Sequence, residues 1–124
     1  MDSLNVFGQP LVTCSKNPLT GFFRDGNCYV NEQDKGMHSV CIIATKEFLD
    51  FSKSVGNDLS TPNPQYNFAG VNPGDKWCLV ALRFLQAVQN NSAPKVLLEA
   101  TNERTLEIVP MDVLLAHAYY ENKN

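Results

Sequence analysis

The sequence predicts an α+β domain with a small mixed or antiparallel sheet, about three helices and one long ordered loop. Three observations carry this. Two short apolar runs, Ser39–Ala44 and Trp77–Leu82, have the length and composition of buried strands. Each is followed by apolar residues at helical spacing. Between them, residues 57–76 contain Pro62, Pro64, Pro73, Gly70 and Gly74, which block regular hydrogen bonding.

The elements follow in order. Residues 1–38 are rich in turn formers, and Asp25-Gly26 between Phe22-Phe23 and Cys28-Tyr29-Val30 predicts a hairpin. After the first strand, Thr45 offers an N-cap hydroxyl and Glu47 suits the positive end of a helix. Phe48, Phe51, Ser52 and Val55 share one face, and Gly56 supplies a stop, so a helix is expected over 46–55. The 57–76 loop is expected to be ordered, because Leu59, Tyr66, Phe68 and Val71 give it apolar side chains to pack. A second helix carries Phe84, Leu85 and Val88 and ends at Asn90-Asn91. Lys95–Thr101 and Arg104–Val109 flank Asn102-Glu103 and predict a second hairpin. Pro110 opens a last helix with Met111, Leu114, Leu115 and Ala118 on one side. The chain reads as one domain, 1–124, with 1–10 and 119–124 as loose ends.

Composition narrows the classes of function. Ten basic and thirteen acidic residues give a net charge of −3, so the footprint of a nucleic-acid binder is absent. No apolar run reaches the roughly 18–20 residues of a membrane span, and no membrane partner is expected. The first ten residues lack the apolar core of an export signal. On that reading the four cysteines, Cys14, Cys28, Cys41 and Cys78, are expected to be reduced and the protein cytoplasmic. No Cys-x-x-Cys, phosphate loop or zinc-protease motif is present, and no cofactor is expected.

Several strings are more specific than propensity. They are Thr20–Gly26 (TGFFRDG), His38-x-Val40-Cys41, Glu47-Phe48-Leu49-x-Phe51-Ser52, Gly56–Pro62 (GNDLSTP), Pro73-Gly74-Asp75-x-Trp77-Cys78-Leu79 and Leu98–Thr101. Together they resemble the mainly bacterial family catalogued as domain of unknown function 2237, over about Leu11 to Ala118. The resemblance implies a single-domain soluble protein and supplies no reaction. The chain departs from that pattern at three places: Val80 stands where the family usually has a second cysteine, Asn102 where it has histidine, and Ala69 where it has proline.

Candidate chemistry falls into three groups. A polar ligand or partner site draws on the 57–76 loop and its surroundings: Arg24, Asp25, Asn57, Asp58, Ser60, Thr61, Asp75, Trp77 and Arg83. The same short polar side chains would also serve as Asx and Ser/Thr turns for the loop's own backbone. A thiol-dependent enzyme would use Cys41 or Cys78 as nucleophile with His38 as base. Buried structural thiols beside a hydrogen-bonded histidine account for the same residues. A distributed metal site would draw on Cys14, Cys28, His38 and either Cys41 or Cys78, although strand periodicity puts His38 and Cys41 on opposite faces. The leading expectation is a binding or accessory domain for an unknown small molecule or protein, with a homo-oligomer built through the loop as a further alternative.

Overall fold

Strand β1 (His38–Ile43) lies at the centre of a three-stranded antiparallel sheet. The computed structural model describes residues 3–66 and 68–120. Strand β2 (Lys76–Val80) pairs along one side of β1, and the two-residue β3 (Lys95–Val96) pairs along the other. Among the described residues there are three α-helices: α1 (Lys46–Ser54), α2 (Ala81–Gln89) and α3 (Met111–Ala116). The domain is α+β, as the sequence predicts.

The sheet divides the interior into two unlike halves. Val40 faces Leu79 and Ile42 faces Trp77 across the β1–β2 ladder, and all four enter one apolar core with Phe48, Leu49, Phe84 and Leu114. Alternation along the strands then turns Cys41 and its cross-strand partner Cys78 to the other face. There they meet Cys14, Cys28 and Ala100 in a second buried cluster.

Helix α1 begins where the sequence places it. The Thr45 hydroxyl accepts from the Phe48 backbone N–H at 3.1 Å, and Gly56 takes a left-handed φ of +91° just past the end. Helix α2 begins sooner than expected, since β2 ends at Val80 instead of Leu82. The Ala81 N–H turns away to the Met37 carbonyl, so that Ala81, Phe84 and Ala87 form the buried stripe and Leu82 is left exposed.

Both expected hairpins are corrected. Gly26 does not link two strands. It closes a loop on itself, with its N–H donating to Thr20 and its carbonyl accepting from Cys14 and Ser15. The second pair of runs leaves the sheet after Val96 and forms 3₁₀ turns at Leu98–Ala100 and Glu103–Glu107. Thr101 and Asn102 cause this. The Thr101 hydroxyl donates to the Leu97 carbonyl and accepts from the Cys41 N–H, occupying positions that a third full strand would use. The Asn102 side chain accepts from the Arg104 N–H, so Asn102 is a helix cap and not a hairpin turn.

The chain ends also differ from expectation. Asn5 and Val6 are buried, the Val6 N–H donates to Thr101, and the Asn5 side chain bonds Phe7, Gln9 and Glu99 backbone. Tyr119 donates its N–H to Val96. The remaining parts of the expected loose ends, residues 1–2 and 121–124, lie outside the described residues.

The largest correction concerns the cysteines. They are not free thiols: Cys14 is bonded to Cys41, and Cys28 to Cys78. Each bond joins a strand to the irregular segment 11–37, which contributes no helix and no sheet strand until β1. The expectation of reduced thiols followed from a cytoplasmic reading based on the N-terminal residues, and the bridges overturn the thiol part of it. What holds is narrower: no described helix is long and apolar enough to cross a membrane.

The bridges close spans of 27 and 50 residues. Restricting the unfolded chain over such loops stabilises a fold by about 2–4 kcal/mol per bridge. Replacing Cys14 and Cys41 together by serine is expected to lower the urea unfolding free energy of the oxidised protein by about that amount. A change under about 0.5 kcal/mol would show that the segment is held by its other contacts alone.

Candidate functional site

The residues around Trp77 build a cleft from two loops. One wall is the turn over residues 16–24, and the other is the loop over residues 58–70. Its larger lobe, about 580 Å³, runs between Lys16, Pro18, Leu19 and Arg24 on one side and Tyr66, Phe68 and Gly70 on the other. A smaller lobe of about 290 Å³ shares Arg24, Tyr66, Phe68 and Trp77 and reaches His38, Asp58 and Asn63.

Glycines let the walls close. At Gly21 (φ +98°) a Cβ would sit 2.3 Å from the Asn27 carbonyl oxygen, and at Gly70 (φ +87°) 2.6 Å from that of Ser60. Both positions therefore need glycine for conformation and for space. Between these fixed points Arg24 adopts a left-handed φ of +53°, uncommon for a residue with a long side chain. That backbone carries its guanidinium to the cleft, with Nη1 donating to the Gly21 carbonyl at 2.6 Å and Cζ 5.2 Å from the Trp77 ring centroid. Phe68 meets the same indole edge-on at 5.6 Å.

The charge in the larger lobe has one sign. Among the described residues neither Lys16 nor Arg24 has a carboxylate within 4.0 Å, and no acidic side chain lines that lobe. Tyr66 stands at the mouth, 77% exposed, although the loop's other apolar residues pack inward and Val71 is fully buried.

The structure sorts the residues singled out from the sequence. Arg24, Asp58 and Trp77 come together at the cleft. Asp25 accepts from the Asn27 N–H and locks its turn. Asp75 accepts from Asn72, and Asn57 ties its backbone to Ser52 at the end of α1. Ser60 and Thr61 donate to the Asp58 carboxylate, and Arg83 reaches the Val55 carbonyl and Gln86. These groups spend their hydrogen bonds on local backbone and on one another. Lys16, Tyr66 and Phe68 complete the cleft without having been singled out as site residues. The one available signal was an aromatic-rich loop with a tyrosine that no periodic pattern requires.

The thiolate reading is corrected. Cys41 and Cys78 are buried and bonded to other cysteines, so with the bridges intact neither offers a nucleophile. His38 binds Asp34 through both its ring and its backbone, Nδ1 to Oδ1 at 2.7 Å and N–H to Oδ2 at 2.8 Å. Asp34 is buried, and His38, at the start of β1, answers its hydrogen-bonding demand. Of the proposed metal ligands, Cys14 and Cys28 do converge, with Cys78, but His38 is not in that group.

With this geometry in place, one comparison is informative. Residues 4–118 match the model of a family described as an uncharacterised protein conserved in bacteria, DUF2237. The chain belongs to this family. No curated protein matches it. In this DUF2237 domain Asn102 is buried with its amide on the Cys28 carbonyl, Val80 packs against Gly36, and Ala69 lines the larger lobe.

The Asp58 carboxyl is held below its ordinary value of 3.8, first by the Thr61 hydroxyl; desolvation opposes this, and the Thr61 N–H and the Ser60 hydroxyl and N–H add to the lowering. A depressed carboxyl stabilises the fold above its unfolded value and loses that contribution as the pH falls through the folded one. The Ser60 and Thr61 amide resonances are therefore expected to stay in place down to the ordinary carboxylate range and to move only below pH 3.8. A midpoint above that value, or an unchanged titration in Asp58→Asn, would contradict the turn.

Proposed function

We propose that this DUF2237 member is a binding domain for a small anionic molecule with a flat apolar body, taken up in the cleft between the 16–24 turn and the 58–70 loop. The observation that carries the reading is Arg24. A left-handed backbone is unfavourable for arginine, and here it sets an uncompensated guanidinium beside an indole in a concave site. Strain of this kind points to use when the strained residue sits in a cleft.

The chemistry of the ligand follows from the lining. The guanidinium uses one of its donors on Gly21, and the others suit a carboxylate or phosphate oxygen. Lys16 adds a second cation on the same wall. Tyr66, Phe68 and Trp77 offer ring faces and edges to an apolar body between them. Asp58, on the smaller lobe, keeps its charge to low pH and disfavours an anion at that end. The anionic group is thereby directed to the Lys16 side.

Benzoate, with benzyl alcohol as its uncharged counterpart, is a suitable probe. In a titration followed by amide chemical shifts, benzoate is expected to move residues 16–24, 58–70 and Trp77, and benzyl alcohol to move them far less. Arg24→Met keeps the length of the side chain and removes the charge. It is expected to weaken benzoate binding by about tenfold or more, as for the loss of a hydrogen bond to a charged group. Equal shifts with both probes, or an affinity unchanged in Arg24→Met, would overturn the reading.

A further inference from the structure

The face of the sheet opposite the helices holds a sulfur cluster that the ligand cleft does not use. The Sγ atoms of Cys14, Cys28 and Cys78 all lie within 4.8 Å of one another, and Cys41 Sγ is bonded to Cys14 at 2.02 Å. Three of the four thus belong to a single group that spans both bridges. We infer that, once its two disulfides are reduced, this chain holds one zinc ion on Cys14, Cys28 and Cys78 with Cys41 as the fourth ligand.

A tetrahedral site with zinc–sulfur bonds of about 2.3 Å needs sulfurs about 3.8 Å apart. The Cys14, Cys28 and Cys78 sulfurs, within 4.8 Å of one another, already fall in that neighbourhood; the two bonded pairs must separate, and Cys41 Sγ, outside that group, must turn toward the other three. The backbones of Cys41 and Cys78 are fixed, because they are register partners on β1 and β2, and only their side chains need turn. Their N–H groups point away from each other, to the hydroxyls of Thr101 and Thr20. This is the arrangement in which cross-strand side chains come closest. Cys14 and Cys28 sit on the irregular segment, where no ladder resists a shift of an ångström or two. The four ligands come from four separate stretches of chain, which is why no compact spacing announced the site in the sequence.

The chemistry of the donors selects the ion. The pocket offers only sulfur, is lined by Ala100 and Leu97, and is closed to water. Such a set suits zinc, which needs no redox change and no open position in a structural site. The reaction balances as follows. Each bridge takes two electrons and two protons from a dithiol, which leaves as its cyclic disulfide, and the two bridges yield four thiols. Zinc binding then releases four protons as four zinc–thiolate bonds form. The oxidised and metal-bound forms would tie the same segment to the same sheet by different links.

The test uses the full chain, reduced with dithiothreitol and freed of it under nitrogen. Thiol counting should find all four cysteines. Cobalt(II) should then bind in about one equivalent with the intense near-ultraviolet absorption of thiolate ligation, and zinc should displace it. Zinc should also raise the unfolding temperature of the reduced protein and leave that of the oxidised protein unchanged. His38→Ala should keep the cobalt spectrum, and Cys14→Ser should weaken or lose it. Four free thiols without a cobalt–thiolate band would overturn the inference. So would bridges that resist the dithiol in the folded protein, or a cobalt spectrum that depends on His38. The titration of the unaltered chain decides the matter even if Cys14→Ser fails to fold.

Discussion

The pairing of Cys41 with Cys78 across β1 and β2 is the constraint on which the rest of this structure depends. A strand that buries Val40 and Ile42 against helices must send Cys41 to the opposite face, and β2 does the same with Cys78 beside Trp77 and Leu79. Among the described residues no α-helix contributes to the cluster on that second face. A long irregular segment does, and it has little regular hydrogen bonding of its own to keep it there. Covalent links at Cys14 and Cys28 supply what secondary structure does not. The cleft inherits its shape from the same arrangement, because the 16–24 turn that forms one wall lies between those two cysteines in sequence.

Hydroxyl groups complete the attachment. Thr20 and Thr101 are fully buried, and each accepts the backbone N–H of one central cysteine. A buried N–H without an acceptor costs about 1–3 kcal/mol, so Thr101 stands in where β3 has ended beside β1, and Thr20 stands in along the outer side of β2. Thr105 and Ser39 pair nearby, as do Asn102 and the Cys28 carbonyl. The buried polar residues of this domain are concentrated where loops meet the sheet, and few are needed where helices do.

Much of the architecture was legible in the sequence because it rests on periodicity. The runs around Val40 and Leu79 are short and apolar almost throughout, as buried strands are, Thr45 and Gly56 bracket α1, and Met111 to Ala116 repeat at helical spacing. The order of the 57–76 loop was legible too, from Val71 and Leu59. What failed was local pattern with two physical solutions. Lys95–Thr101 has the composition of a strand, but the Thr101 hydroxyl reaches both Leu97 and Cys41 and ends the ladder after Val96. Asn102 tolerates a turn and also caps a helix, and the buried carbonyl of Cys28 selected the second. The sulfur pairing was out of reach, because four cysteines admit three connectivities and sequence spacing chooses among none of them.

The candidate site shows the same limit from the side of function. Short polar residues in the 57–61 stretch drew attention as ligand groups, yet most of them are consumed by turns around Asp58. Such turns are what allow the loop to stand as a wall, so their contribution is to hold Tyr66 and Phe68 opposite Arg24. In the proposed reading recognition falls to side chains whose positions depend on contacts distant in sequence: a lysine two residues before a proline, an arginine in a left-handed turn, and a largely exposed tyrosine. None of these is a motif in sequence. Each acquires meaning only when the cysteine-tethered turn and the glycine-closed loop face each other across Trp77, where cationic and aromatic groups converge on one concave surface.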